Sequence, residues 1–508
     1  MTRRKSKDVW QFGDFQTPQA LATTVCQLLK RTGITPDNVI EPTCGRGAFV
    51  KAAADAFPAA HIVGIDLNSD HLRVAREKFS AEISADRLEL CEGDFFGYDW
   101  ASVFESHPGS WLILGNPPWV TSAELGSLSS TNLPPKSNFQ GRSGIEAITG
   151  KSNFDISEWM LLCYMDWLRG RNGWVAVLVK TVVARKVLAH VWKARYPVVS
   201  AALYSIDAMR HFGAAVEACL FVLVIDSAGD SFDCSVFESL SSGVPSHTLG
   251  FHNGILIANT DAYQRWQHLA GRDRHYVWRS GIKHDCSSIM EFRTTDGYYL
   301  NGLNEEVLIE DALVYPLLKS SDVNNNAMNR GRFMLVPQKT PGEDTRSIQV
   351  TAPRTWEYLQ RHASVLANRA SAIYRNRPQF SIFGVGEYTF APWKVAISGF
   401  YKSLRFVSVG PFEERPTVFD DTVYFLPCRS HAEASFLADL LNSAPAQEFY
   451  SSMVFWSDKR PITNDLLKRL DIGKLAAELG AIHTYESFVG LHYGQSSEVS
   501  QLSMFNHD

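Results

Sequence analysis

After Thr17-Pro18 the apolar residues Leu21, Val25, Leu28 and Leu29 return every three to four positions, which predicts a helix over about 18–31 with Thr17 as N-cap and proline at the first helical position. The period then changes. A short apolar run, Val39-Ile40, leads into Glu-Pro-Thr-Cys-Gly-Arg-Gly-Ala-Phe (41–49) and an alanine-rich helical stretch, the pattern of strand, glycine turn and helix. Strands are predicted at His61–Leu67, Arg87–Cys91, Trp111–Leu114 and Trp174–Val179, with helices at Ser69–Phe79 and Phe154–Leu168. Strands alternating with helices imply βαβ units and a largely parallel sheet covered on both faces. Two longer runs, Val198–Ile206 and Ala218–Ile225, read as a hairpin closing that sheet. From about residue 230 the alternation stops, which predicts a first α/β, Rossmann-like domain over 1–230 and a mixed α/β second domain over 231–508. A Gly/Ser/Asn/Pro-rich segment, 121–152, interrupts the rhythm and is longer than a compact domain tolerates without purpose, so it is read as a functional lid.

Composition narrows the class. The chain of 508 residues is 45% hydrophobic and 20% charged, ordinary globular values that exclude disordered, collagen-like and coiled-coil proteins. Its longest apolar run, Ala218–Ile225, is far short of the ~20 residues that cross a bilayer, so no membrane span is expected. The basic start is followed by Asp8 and polar residues with no apolar signal segment, which points to the cytoplasm. Eight cysteines show no Cys-x-x-Cys pair and no His-x-x-x-His partner, so reduced, mostly buried thiols are expected and no metal site. The net charge is −5, yet residues 361–405 carry seven basic side chains against Glu387 alone. Phosphate binding follows local potential, so this stretch is a candidate polyanion face, or a solvated surface balanced by distant acids.

The candidate chemistry sits at predicted strand ends. Gly45 and Gly47 allow close approach of a ligand to backbone, and Asp66 follows about 20 residues later, the offset of a ribose-binding carboxylate. The third glycine of a dinucleotide fingerprint would fall at Val50, which argues against NAD. Asp94 ends the following strand, so Glu41, Asp66 and Asp94 should face one crevice beyond the carboxyl ends of the sheet. The sharpest signal is Gly115-Asn116-Pro117-Pro118-Trp119. Two prolines restrict their own φ and their predecessors, so the Asn116 amide and the Pro117 carbonyl are held stiffly and can accept both hydrogens of one planar amino group, while Trp119 offers a stacking face.

This ordered series resembles the γ-class N6-adenine DNA methyltransferases, the group typified by the TaqI methyltransferase. Phe15-Gln16-Thr17-Pro18 matches the N-terminal cofactor motif, Glu41 through Thr43 to Gly47 the glycine-rich motif, Asp66 the ribose motif, Asp94-Phe95 the adenine-edge motif and Asn116 to Trp119 the catalytic tetrapeptide, with Trp119 where the family usually has Tyr or Phe. His211-Phe212-Gly213-Ala214 resembles the motif whose aromatic packs on the extruded base; a core phenylalanine ahead of a buried strand is the alternative for Phe212. Looser matches at Gly386–Lys394, Leu441-Asn442-Ser443 and Lys459–Ile462 resemble the target-recognition domain.

The resemblance implies S-adenosylmethionine as cofactor, with Thr17, Glu41, Thr43, Gly45 and Gly47 around it, Asp66 on the ribose, Asp94 on the adenine amino group and Phe95 beside the ring. It implies a duplex DNA substrate whose adenine is flipped out, and phosphate contacts from Arg375, Arg377, Lys394 or Lys459. It also implies a cytoplasmic, nucleoid-associated enzyme of restriction-modification or phage defence, with companion defence proteins as further partners. Asn-Pro-Pro-aromatic tetrapeptides also serve enzymes acting on RNA bases or a glutamine amide, and a DNA-binding subunit without catalysis is a further alternative. The single Pro-Cys, Pro427-Cys428, lies too late in the chain for a cytosine-methylating nucleophile and reads as structural.

Overall fold

The computed structural model describes residues 16–79, 86–120, 155–295, 298–327 and 331–490. The segment 121–152, read above as a lid, lies outside the described residues. Two compact units divide the chain, Met1–Thr260 and Asp261–Asp508.

The first unit is built on one ten-stranded sheet among the described residues. Its strands are β1 (Asn38–Glu41), β2 (His61–Asp66), β3 (Leu88–Glu92), β4 (Trp111–Gly115), β5 (Gly173–Lys180), β6 (Val198–Ile206), β7 (Ala218–Ile225), β8 (Asp233–Phe237), β9 (His247–His252) and β10 (Ile255–Ile257). The order is β10-β9-β8-β6-β7-β5-β4-β1-β2-β3. β1 to β5 pair in parallel, β7 runs antiparallel between β5 and β6, and β8 adds to β6 in parallel. The alternation does stop near residue 230, but β8, β9 and β10 continue the same sheet, so the unit ends at Thr260 and not at residue 230.

Helix α1 (Gln19–Arg31) precedes β1, and α2 (Ala48–Ala56), α3 (Ser69–Lys78), α4 (Trp100–Ser106), α5 (Ile156–Trp167), α6 (Thr181–Lys193) and α7 (Ala208–Phe212) fall between the strands. α1 buries Leu21, Val25, Leu28 and Leu29, the predicted stripe. Its N-cap is Pro18 with no side-chain cap bond, so Thr17 lies one residue outside the helix and does not cap it. Asn68, Asp99, Asp155 and Asp207 each accept a backbone N–H at the start of α3, α4, α5 and α7, satisfying a donor that the helix leaves open. Phe49, Val50, Leu72, Leu112, Leu114 and Leu178 meet in a core where several residues are fully buried.

The second unit is mixed. Arg279–Ser280, Val423–Cys428, Trp393–Ser398 and Val407–Val409 form a four-stranded antiparallel sheet. A six-stranded sheet runs from Glu306–Val307 through Tyr298–Leu300, Glu291–Thr295, Arg332–Leu335 and Val314–Leu318 to Val418–Phe419. Cys428 is buried in its strand and burial pushes its thiol up, the behaviour of a structural cysteine. Among the described residues, no helix is long and apolar enough to cross a membrane.

Candidate active site

Parallel strands deliver their carboxyl ends to one side of the sheet. Because β3, β2, β1, β4 and β5 are neighbours in that order, Asp94, Asp66, Glu41 and Asn116 stand at or just beyond successive strand ends. The sheet thus brings together the four positions that the sequence singled out.

The glycine turn is held from three directions. Gly45 N–H donates to Asp66 Oδ2 at 2.7 Å, and Asp66 Oδ1 accepts Asn68 N–H at 2.8 Å, so one carboxylate fixes both the turn and the start of α3. Cys44 N–H donates to the Ile65 carbonyl at 2.8 Å. From the N-terminal side, Gln16 Oε1 accepts Arg46 N–H at 3.3 Å and Gln19 Nε2 donates to the Ala48 carbonyl at 3.1 Å. Thr17 lies between these two glutamines in the chain and is half-buried. Gly47 has φ +75°, and a Cβ there would stand 2.5 Å from the Phe79 ring. Only glycine gives this backbone and this packing together.

Glu41 is 4% exposed at the end of β1. Burial pushes its carboxyl well above the ordinary range; the Val50 N–H, donating to Oε2 at 3.1 Å, opposes that, and the nearby Asp66 charge adds to it. Gly115, the last residue of β4, packs against it, since a Cβ there would meet Glu41 Cγ at 3.3 Å. The close approach sets the Asn116-Pro117-Pro118-Trp119 segment beside the buried acid. Thr43 and Gly45 continue the chain from Glu41 into the turn.

Asp94 Oδ1 caps a tight turn by accepting Phe96 N–H at 3.0 Å. Phe95 is buried among Trp100, Trp159, Tyr164 and Trp167, with ring centroids 5.2 to 6.0 Å away. Phe96 and Trp159 lie 5.2 Å apart beside it. At the other end of the site, Trp119 Nε1 donates to the Leu178 carbonyl at 3.1 Å, which fixes the indole. Its ring meets Phe212 edge-on at 5.1 Å and 69°. Both rings are buried, and Phe212 closes α7, which Asp207 caps at its start and Gly213 terminates with φ +64°.

Sequence reasoning passed over two features. Gln16 and Gln19 clamp the glycine turn, and Gln16 was visible only as part of a motif. Lys180, the last residue of β5, donates to Asp155 Oδ2 at 2.6 Å with both side chains largely buried, while Ile156 N–H donates to the Val120 carbonyl at 2.9 Å. Together they tie the residue after the tetrapeptide to the start of α5. The position of Lys180 at a fifth strand end was the available signal.

The proposed phosphate contacts fare unequally. Arg375 and Arg377 are exposed beside a turn with Asn376 at φ +59°, and Lys459 is exposed on a later loop. Lys394 is not available: it is 1% exposed, and its Nζ donates to the Ala391 carbonyl at 2.6 Å. The strand Trp393–Ser398 is central in its sheet, so a lysine there that points inward cannot reach a phosphate. The local excess of basic residues shrinks further because Arg369 is committed to the carbonyls of Leu366, His284 and Ser381.

A parallel-rich sheet with a glycine turn after β1 and an Asn-Pro-Pro segment after β4 is a methyltransferase fold, and the full-length relative that follows makes S-adenosylmethionine its cofactor. The chain is 44% identical over 478 residues to the type II methyltransferase M.NspV of Nostoc sp., spanning 94% of this chain and 99% of that one. It therefore belongs to the type II DNA methyltransferases. Shorter likenesses are to the type II methyltransferase M.CvrRI of a Paramecium bursaria Chlorella virus, 28% identical over 23% of this chain and 27% of that one, and to the ribosomal protein uL3 glutamine methyltransferase of Bordetella pertussis, 31% identical over 19% and 31%. Among solved structures, the type IIL restriction-modification enzyme MmeI in complex with DNA matches 89% of this chain and 64% of that chain, at TM-score 0.51 and 12% identity, a likeness of fold. No protein-family model matches.

Proposed function

We propose that the enzyme transfers a methyl group to the exocyclic N6 of an adenine flipped out of duplex DNA, in the service of restriction-modification or phage defence. The observation that carries this reading is the Asn116-Pro117-Pro118-Trp119 segment at the end of β4, packed through Gly115 on buried Glu41 and through Trp119 on Phe212. The turn that would hold the cofactor is fixed by its own packing: a Cβ on Gly45 would stand 3.1 Å from Gln16 Nε2, and one on Gly47 would strike Phe79.

In this reading Thr17, Glu41, Thr43, Gly45 and Gly47 hold the methionine part, Asp66 the ribose hydroxyls, and Asp94 and Phe95 the adenine. Glu41 is suited to a cationic ammonium, which would draw off the proton that burial favours. The cofactor supplies an electrophilic sulfonium methyl. Asn116 Oδ1 and the Pro117 carbonyl accept the amino hydrogens of N6 and localise its lone pair, which otherwise delocalises into the purine. Pro118 stiffens the segment. Most of the rate then comes from positioning and preorganised acceptors. Extrusion is required because the target nitrogen is unreachable within the stack, and Trp119 with Phe212 forms the aromatic wall for the flipped base.

The second unit is the target-recognition module in this account, with Arg375, Arg377 and Lys459 on DNA phosphates, and partner defence proteins acting with the whole chain. Tritiated S-adenosylmethionine offered with duplex DNA, RNA and total protein tests the substrate class. The reading expects label in the duplex alone. Label only in RNA or in protein would select the glutamine- or RNA-directed alternative, and no label anywhere would favour a non-catalytic subunit.

A further inference from the structure

A second constellation stands at the opposite, amino-terminal ends of the strands. His61 opens β2, Glu89 is the second residue of β3, and His107 follows α4. The parallel register pairs Val63 with Glu89, and side chains two apart on a strand share a face, so His61 and Glu89 lie on one face as diagonal neighbours. The loop after α4 adds His107 to the same face. His61 Nε2 lies 3.3 Å and His107 Nε2 3.6 Å from Glu89 Oε1. Among the described residues this is the one group of three or more His, Cys, Asp or Glu side chains whose donor atoms all fall within 4.8 Å of one another.

We propose that His61, Glu89 and His107 bind a divalent transition-metal ion of the zinc type. Bonds of ~2.0–2.1 Å in a tetrahedron put ligand atoms ~3.3 Å apart, which the two edges to Glu89 already approach. Two imidazoles and a carboxylate are a zinc donor set that leaves the fourth position to water. One further observation suits it. Ser106 Oγ lies 3.0 Å from His107 Nδ1, engaging that nitrogen and leaving Nε2 toward Glu89, as an outer partner of a ligating histidine does. The rings now stack at 4.1 Å and 15°, so a shared ion lies outside both ring planes until one turns; His107, 25% exposed at the helix end, is the one with room to do so. No sequence signal marks this site, because its ligands are spread from residue 61 to 107 with none of the short spacings of a metal motif.

The test uses the full chain, stripped with a chelator and titrated calorimetrically with Zn²⁺, and separately with Co²⁺ followed by its visible absorption. The proposal expects one equivalent of zinc, a tetrahedral cobalt spectrum and a zinc-dependent rise in unfolding temperature. Glu89→Gln and His107→Gln each weaken binding at least about tenfold, and the double variant loses the cobalt band while unfolding at the temperature of the stripped wild type. A wild-type chain that takes up no zinc overturns the proposal. So does a double variant that binds as the wild type does, which would assign the ion to other side chains such as Cys91 or Cys163.

Discussion

Replacing Lys394 by methionine should stabilise the protein. The lysine is 1% exposed, and burial pushes its ammonium down from 10.5 to about 7. The folded state thus holds this proton less tightly than the unfolded chain does. Between pH 7 and 10.5 the unfolded chain binds more proton, so stability rises with pH through that window, and below pH 7 the full penalty is present. At about 1.4 kcal/mol per unit the penalty approaches about 5 kcal/mol. The variant also removes the Nζ bond to the Ala391 carbonyl, a loss of about 1–2 kcal/mol. Methionine fills nearly the same volume. The net gain is then about 3 kcal/mol at pH 6, or roughly 6–12 °C in the unfolding temperature of a unit of about 250 residues. Scanning calorimetry of Lys394→Met and wild type at pH 6 and pH 10 reads this directly. The gap should be large at pH 6 and small at pH 10. A variant that is less stable at pH 6, or a gap that ignores pH, refutes the reasoning. Weaker DNA binding with a shallower salt dependence would show that Lys394 reaches phosphate after all.

Other consequences concern the cofactor side and the DNA side. Asp66→Ala removes the acceptor for Gly45 and Asn68 N–H together, and should weaken S-adenosylmethionine binding about 10- to 100-fold in a calorimetric titration, the worth of the one bond to a charged group, about 1.5–3 kcal/mol, that holds the Gly45 turn. Gly47→Ala forces a side chain into a left-handed backbone against the Phe79 ring and should cost about 2–4 kcal/mol in urea unfolding. Arg375→Ala with Arg377→Ala should weaken binding to all duplexes alike and reduce the slope of log affinity against log salt by about 1 per lost contact.

How much of this was legible in the sequence follows from the kind of signal involved. The strand and helix periods of the first 225 residues were strong because β1, β4, β5 and β7 are central and almost wholly buried, and β1 to β7 appear within a residue or two of their predicted bounds. The convergence of Glu41, Asp66, Asp94 and Asn116 was also readable, since parallel strands put their carboxyl ends on one side by topology alone. Thr17 was misread as a cap because Thr-Pro is a local signal, whereas Pro18 takes the N-cap position and leaves Thr17 outside the helix, between two glutamines that hold the glycine turn. Lys394 was misread because charge counting along a chain does not see which face of a strand a residue takes. His61, Glu89 and His107 were invisible for a related reason: their contact depends on strand register and on where α4 ends. The boundary at Thr260 was missed because β8 to β10 are short strands that lack the helix-strand rhythm of the earlier units.

The central claim is that the Asn116 amide and the Pro117 carbonyl receive the amino group of an extruded adenine. Its most direct measurement is mass analysis of nucleosides from duplex DNA treated with wild-type enzyme and with Asn116→Ala, under matched cofactor saturation. The account predicts N6-methyldeoxyadenosine as the sole methylated nucleoside from the wild type, and from the variant a loss of at least about 10²-fold with cofactor binding retained. Methyl groups on cytosine, or undiminished product from the variant, would contradict it.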